Sequence, residues 1–221
     1  MSAGPRLAIL DYGMGNLRSV QKALQRVGAQ AEIIDTPEQI AAAERLILPG
    51  VGAFADAMSL LSELGFVEPL VQFAESGRPM MGICLGMQLL FDSSTEDALS
   101  EDEPVPGLGI LPGSVVRFSE DQGPDQPRLK VPHMGWNEIS FSSGTPLFDG
   151  LSQGDHVYFV HGYYCVPADA SDAAATTDYG GAYCSAVHRG NVWATQFHPE
   201  KSQRVGLRIL ENFANAELVH A

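Results

Sequence analysis

Through residues 6–91, short apolar runs alternate with stretches whose apolar residues recur at helical spacing. Residues 6–10 (RLAIL), 31–34, 45–48 (RLIL) and 79–83 (PMMGI) read as buried strands. Leu17, Val20, Leu24 and Val27 fall on one helical face, with Asn16 as the expected cap and Gly28 as the stop. Helical spacing returns at 53–63, at 66–75 and from Leu85 to Phe91, and Pro49-Gly50 is expected to end the third strand. Strands that are apolar throughout must be covered on both faces. The alternation therefore predicts an α/β fold, with a mostly parallel central sheet flanked by helices.

From residue 108 to 197 the pattern changes. Runs of β-branched and aromatic residues (VVRF, WNEISF, VYFVHGYY, YCSAV, VWATQF) are punctuated by Gly and Pro. Gly190-Asn191 between two of them reads as a hairpin turn. Additional antiparallel strands are expected here, followed by a closing helix over about 201–218 that places Val205, Ile209 and Phe213 on one face. No long polar linker divides the 221 residues, so a single domain over 1–221 is expected.

The net charge of −14 argues against nucleic-acid binding, which needs Lys and Arg on phosphates. Asp92–Glu103 (DSSTEDALSEDE) reads as a solvated acidic loop. No apolar run approaches the roughly 20 residues of a membrane helix. The initial MSAGPRLAIL reaches Asp11 too soon for a secretory signal, and a cytoplasmic protein is expected. Cys84, Cys165 and Cys184 form no CxxC pair, and no disulfide framework is expected.

Gly82-Ile83-Cys84-Leu85-Gly86 places a cysteine between small residues, after a strand and before a helix. This is the layout of a nucleophile elbow. Glycines permit the sharp turn, the helix start favours thiolate over thiol, and the Leu85 amide is free for an oxyanion. The same pattern also suits a small buried cysteine beside a glycine turn. Cys165 and Cys184 lack flanking glycines and read as packed core thiols.

A thiol nucleophile needs a base and a group that orients the base. His198 ends an apolar strand in Gln196-Phe197-His198-Pro199-Glu200. Residues two apart in extended chain point the same way, so Glu200 is expected beside His198. A strand-end histidine with an incidental ion pair would look alike. Among the other histidines, His161 follows a strand and is expected near the same pocket. His133 lies in a Pro/Gly-containing turn, His156 and His188 read as surface or strand-end residues, and His220 is in the tail. His156, His161 and Cys165 fit no common zinc spacing, and neither a metal nor a cofactor is expected. Pro49-Gly50-Val51-Gly52 offers backbone amides that can turn inward as an oxyanion hole, or is simply a tight strand–helix turn. Gly13-Met14-Gly15 lacks the third glycine of a dinucleotide fingerprint.

Taken together, PGVGAF, MGICLGMQLL and QFHPEKS, in the order Cys then His-x-Glu, resemble the class I glutamine amidotransferases, over about residues 7–215. DYGMGNLRSV (11–20), KVPHMGWN (130–137) and YFVHGYY (158–164) are similar to the glutaminase subunits of imidazole glycerol phosphate synthases within that class. The resemblance implies a flavodoxin-like glutaminase in histidine biosynthesis. Cys84 would attack the glutamine side-chain amide, His198 would carry protons and Glu200 would orient it. Val51 or Gly52 would hold the oxyanion with Leu85. Gly50, Gln88, His161, Gly162 and Tyr163 would belong to the glutamine site. It also implies a heterodimer with a (β/α)8-barrel cyclase that receives the ammonia, with Asn16, Arg18 and Lys201 at the interface. The flexible Gly-Val-Gly run further suggests a turn that stays inactive until the loaded partner docks. One departure is visible: Gly162 stands where the family usually has Ser.

Glutaminases of pyridoxal phosphate or anthranilate synthesis are the nearest rivals, and KVPHMGWN with DYGMGNLRS argues against them. A non-catalytic regulatory module would not need Cys84, His198 and Glu200 intact. A thiol peptidase would need a substrate groove.

Overall fold

A computed structural model describes residues 7–96, 98, 103–124, 127–142 and 144–216. Strands β1 (Leu7–Leu10), β2 (Ala31–Ile34), β3 (Arg45–Gly50) and β4 (Met80–Cys84) come first. They alternate with helices α1 (Leu17–Arg26), α2 (Pro37–Ala42), α3 (Phe54–Glu63) and α4 (Val67–Glu75). Helix α5 (Leu85–Leu89) follows β4 without a gap and leads to β5 (Phe91–Ser94). Strands β6 (Val105–Pro106), β7 (Leu111–Arg117), β8 (His133–Glu138), β9 (Ser140–Phe141) and β10 (His156–His161) come next. After β11 (Tyr163–Pro167), β12 (Ala173–Asp178), β13 (Ala182–Arg189) and β14 (Val192–Thr195), the closing helix is α6 (Gln203–Ala214).

One sheet runs in the order β2-β1-β3-β4-β14-β13-β11-β7-β5-β6, with β12 joined to β13 and β9 to β12. From β2 to β14 all neighbours are parallel. Strands β13, β11 and β7 extend it antiparallel. The fold class is therefore the expected α/β one. Among the described residues, strands β8 and β10 pair only with each other, as a separate antiparallel ribbon.

Alternation along the central strands divides the core. Ala8, Leu10, Leu46, Leu48 and Met80 pack on the side covered by Phe54 and Leu61 of α3 and Leu70 and Phe73 of α4. Leu7, Ile9, Ile47, Met81 and Ile83 pack on the other side, under Leu24 of α1, Ile209 and Phe213 of α6, and Phe159 of the ribbon. Each of these Leu, Ile, Met and Phe side chains, fully buried, contributes roughly 1.5–3 kcal/mol. Among the described residues, no helix is long and apolar enough to cross a membrane.

Several local expectations need correction. Pro49-Gly50 does not end β3: Pro49 pairs with Ile83 and Gly50 with Cys84. The donor that proline lacks falls where the ladder is already ending. Helix α2 was not foreseen. It is six residues long with only Ile40 buried, too short to show a period. Its start is nonetheless written in Thr36-Pro37-Glu38-Gln39, where Gln39 Oε1 accepts the Thr36 amide at 3.2 Å. Helix α5 stops at Leu89 and Phe91 opens a strand; residues 85–91 are all buried, so no polar face marks the end. Part of the acidic loop is strand β5, while residues 97 and 99–102 lie outside the described residues. Asn16 precedes α1 but caps through its backbone oxygen, not its side chain. His133 opens β8 and is buried, so it is not a turn residue. Arg6 of the first strand, the end of the closing helix at 217–218, and His220 lie outside the described residues.

Candidate active site

Cys84 sits where β4 turns into α5, at φ 55° and ψ −111°. A left-handed φ at a non-glycine residue costs about 1–3 kcal/mol and persists only where the surroundings enforce it. The flanking glycines show what enforces it here. A Cβ on Gly82 would lie 2.7 Å from the Gly86 carbonyl oxygen, and one on Gly86 would lie 1.8 Å from that of Leu48. The elbow is backbone packed on backbone.

His198 is fixed through its main chain. Its amide donates to Tyr158 O at 3.0 Å. Its carbonyl accepts the Ser202 hydroxyl at 2.6 Å, and Ser202 Oγ in turn accepts the Tyr158 amide at 3.0 Å. His198 Nδ1 lies 2.9 Å from Glu200 Oε1, with both side chains almost fully buried. The pair thus forms as expected, but not through extended chain. Strand β14 ends at Thr195, and Pro199–Lys201 is a single 3-10 turn that folds Glu200 back onto the ring.

A carboxylate only accepts, so Nδ1 carries the proton and Nε2 is left for Cys84. Burial alone would lower the His198 pKa. Hydrogen bonding and charge from Cys84 and Glu200 outweigh it and hold the pKa at about 9. The Nε2 atom is close enough to Cys84 for this coupling, yet short of ordinary hydrogen-bond geometry. Both neighbours therefore favour the protonated ring.

A cavity of about 230 Å³ opens over Cys84 and His198. Val51, Gly52 and Leu85 line it, as do Gln88, His161, Gly162 and Tyr163, and Lys201 stands at it too. Among the described residues, neither the Val51 nor the Gly52 amide donates a backbone hydrogen bond. Gly50 lies beneath: a Cβ there would meet the Tyr12 hydroxyl at 2.6 Å and Leu85 Cβ at 2.9 Å. Asn16 and Arg18 do not line the cavity. Arg18 is exposed and bonds Gln21 at 2.9 Å.

Three contributors escaped the sequence reading. Glu96 lines the cavity while its Oε2 accepts the first amide of α3, from Phe54, at 2.9 Å. It lies in a run of acidic residues that gave it no distinction. Gln196 is fully buried beside Cys84; its place directly before Phe197-His198 was the available signal. Tyr183 links two histidines. His161 Nδ1 lies 2.7 Å from Tyr163 O, which can only accept, so the ring donates there. The Tyr183 hydroxyl then donates to His161 Nε2 at 3.2 Å and accepts from His133 Nδ1 at 3.2 Å. Asn137 completes the chain by donating to His133 Nε2 at 3.3 Å. Burial pushes the pKa of His133 down to about 4 and that of His161 down to about 3.

The serine missing at position 162 can be supplied. A Cβ on Gly162 would meet only Val131 Cγ1, at an ordinary 3.5 Å, and Gly162 is not left-handed. Gly162→Ser is expected to fold with a Tm within about 2 °C of the native chain, the range of a neutral surface change. Melting curves check this, and the KM for glutamine of the same variant reports whether the hydroxyl reaches the ligand.

Beside the cavity, the ribbon exposes two large apolar side chains, Met134 and Trp136 of β8, at 63% and 47%. The Trp136 ring lies 6.1 Å from that of Tyr158, and Lys201 Nζ lies 6.0 Å from the Tyr158 ring.

The family model described as "Glutamine amidotransferase class-I" matches residues 8–216. A protein of Syntrophotalea carbinolica named "Imidazole glycerol phosphate synthase subunit HisH" is 57% identical over 95% of this chain and 99% of its own length. The protein of that name from Methanosarcina acetivorans is 50% identical over 94% of this chain and 97% of its own. Among solved structures, PurLQS from Thermotoga maritima superposes with a TM-score of 0.72 at 20% identity, covering 96% of this chain and 99% of that one. Another, described as a glutamine amidotransferase, has a TM-score of 0.70 at 22% identity, covering 95% and 99%.

Proposed function

The chain belongs to the class-I glutamine amidotransferase family, and on that premise we propose that it is the glutaminase subunit of an imidazole glycerol phosphate synthase. The observation that carries the chemistry is one cavity holding a cysteine on a strained elbow beside a buried His198–Glu200 pair.

In this reading the Cys84 thiolate attacks the side-chain amide carbon of glutamine. The charge that develops on oxygen meets the amides of Leu85 and of Val51 or Gly52. The C–N bond then breaks as the His198 imidazolium gives its proton to the departing nitrogen, leaving a γ-glutamyl thioester and ammonia. Neutral His198 next takes a proton from water, which attacks the thioester and releases glutamate and the free thiolate. Glu200 holds Nδ1–H throughout, so the same Nε2 serves both half-reactions. Glu96 and Gln88 on the cavity wall suit the ammonium and amide ends of an amino acid.

Ammonia released into water would be protonated and lost as a nucleophile. A partner that accepts it fits the word "subunit" in the relatives' names. We read that partner as a (β/α)8-barrel cyclase in a heterodimer. It would dock over the exposed Met134 and Trp136 with Lys201 and Tyr158, and Asn16 and Arg18 on the α1 side would join the interface. The described chain, threaded through one main sheet, acts as a single domain in that assembly.

Glutamate release should be followed for the chain alone, with the cyclase, and with the cyclase plus its phosphoribulosyl nucleotide. If docking turns a Val51 or Gly52 amide inward, the loaded complex should run about 10²–10³-fold faster, the worth of one oxyanion donor. Equal rates in all three conditions would remove the activation step. Glutamate without imidazole glycerol phosphate would point to another amidotransferase.

A further inference from the structure

The nucleophile has a neighbour that neither the triad nor the oxyanion turn includes. Gln196 follows the last residue of β14, is completely buried, and has its amide fixed by Ser185 O at 2.9 Å. Its side-chain Nε2 lies 3.9 Å from Cys84 Sγ. Its Oε1 lies 3.1 Å from Gln88 Nε2, and Gln88 Nε2 is also 3.1 Å from Tyr163 O.

These contacts determine which end of each amide points where. Tyr163 O can only accept, so Gln88 turns its amino end to it. The same amino group then meets Gln196, and the atom it meets must be the Gln196 carbonyl. The amino end of Gln196 is left facing the sulfur. A donor N–H held toward sulfur from a dry, fully buried site favours thiolate over thiol. Helix α5 is only five residues long, so its dipole gives limited help.

We propose that Gln196 is a positioning residue for the nucleophile. Its amide, braced by Gln88, donates to Cys84 Sγ, favours the thiolate over the thiol and aims the sulfur into the cavity. Gln88 thereby has two tasks, one toward the ligand and one, through Gln196, toward the thiolate. The proposal rests on the glutaminase reading for its purpose, but not for its test.

Other groups also act on that sulfur. His198 comes from the 3-10 turn, the Tyr12 hydroxyl from beyond β1, and Cys165 from β11. Glu96, His161 and Lys201 stand on the cavity wall. All of them remain in a Gln196 variant.

The experiment is the rate of Cys84 alkylation by iodoacetamide as a function of pH, read by peptide mass spectrometry on the intact folded chain. Burial pushes the Cys165 and Cys184 thiols up, so both react slowly and serve as internal references. Gln196→Leu removes the donor with little change in volume. Its alkylation midpoint is expected to rise by about one pH unit, the worth of one hydrogen bond to a charged group. Gln196→Glu places an acceptor against the sulfur and should move the midpoint further in the same direction. Gln88→Leu, which removes the brace and leaves Gln196 in place, should give a smaller rise. Melting curves identify which variants are folded. Midpoints within about 0.2 units of the native value, in whichever of these variants fold, would overturn the proposal. A shifted midpoint in the Gln196 variants, together with a native chain that releases no glutamate even with the loaded cyclase, would uphold the proposal and remove the glutaminase reading instead.

Discussion

Cys84→Ala is expected to release no glutamate above background, a loss of about 10⁴-fold or more, because a triad without its nucleophile retains only binding and oxyanion effects. The fold should survive. Alanine occupies the same left-handed φ of 55° at a similar conformational cost, and the glycines that enforce the elbow are untouched. Glutamine should still bind, since Gln88, Glu96 and the amides of the turn remain. The measurements are glutamate release and calorimetric titration on one preparation. His198 supplies a further readout. Cys84 is among the groups that hold its pKa at about 9, so its ring should titrate lower in the variant. A variant that still turned over would move the nucleophile elsewhere in the chain.

Gly86→Ala is expected to act on the fold as well as the chemistry. Its new methyl group would lie 1.8 Å from the Leu48 carbonyl oxygen and 2.8 Å from that carbonyl carbon. Both are backbone atoms of the central strand β3, so no side-chain rotation relieves the clash. The helix must move off the sheet and take the elbow with it. We expect a loss of about 3 kcal/mol or more, or roughly 6–12 °C in Tm for a chain of this size. The residual folded fraction should also have lost most of its glutaminase rate, since Leu85 and Cys84 shift with the helix. Thermal melts with activity at a temperature well below Tm separate the two effects. An unchanged Tm would mean that the elbow is looser than its packing shows.

Much of this architecture could be read from the chain because its parallel strands are apolar on both faces. Their boundaries held to within a residue or two, except where burial hid the end of α5. The Cys84, His198 and Glu200 grouping was legible for a different reason. Cys84 lies two residues from glycines that let the chain turn sharply, and His198 and Glu200 flank a proline that restricts it, so these residues mark themselves. What stayed hidden depended on tertiary contact. Glu96 is one carboxylate in an acidic run until β5 and α3 bring it to the cavity. Strands β8 and β10 show ordinary alternation, and nothing in it says that they pair apart from the main sheet. The contact between His198 and Glu200 was foreseen from the wrong geometry. Spacing two apart is compatible with extended chain and with a 3-10 turn, and proline at 199 favoured the turn.

The imidazoles near the cavity have a consequence for conditions inside it. His161 on the wall and His133 behind it gain protons only at about 3 and about 4, whereas His198 gives up its own at about 9. Above about pH 4, then, two rings are neutral, while Cys84 and Glu200 favour the proton on the third. Each turnover liberates a base into a confined space. The rings of His161 and His133 stay neutral through this local alkalinity, and His198 regains its proton as the thioester is hydrolysed, so the next glutamine meets the same imidazole charges as the last.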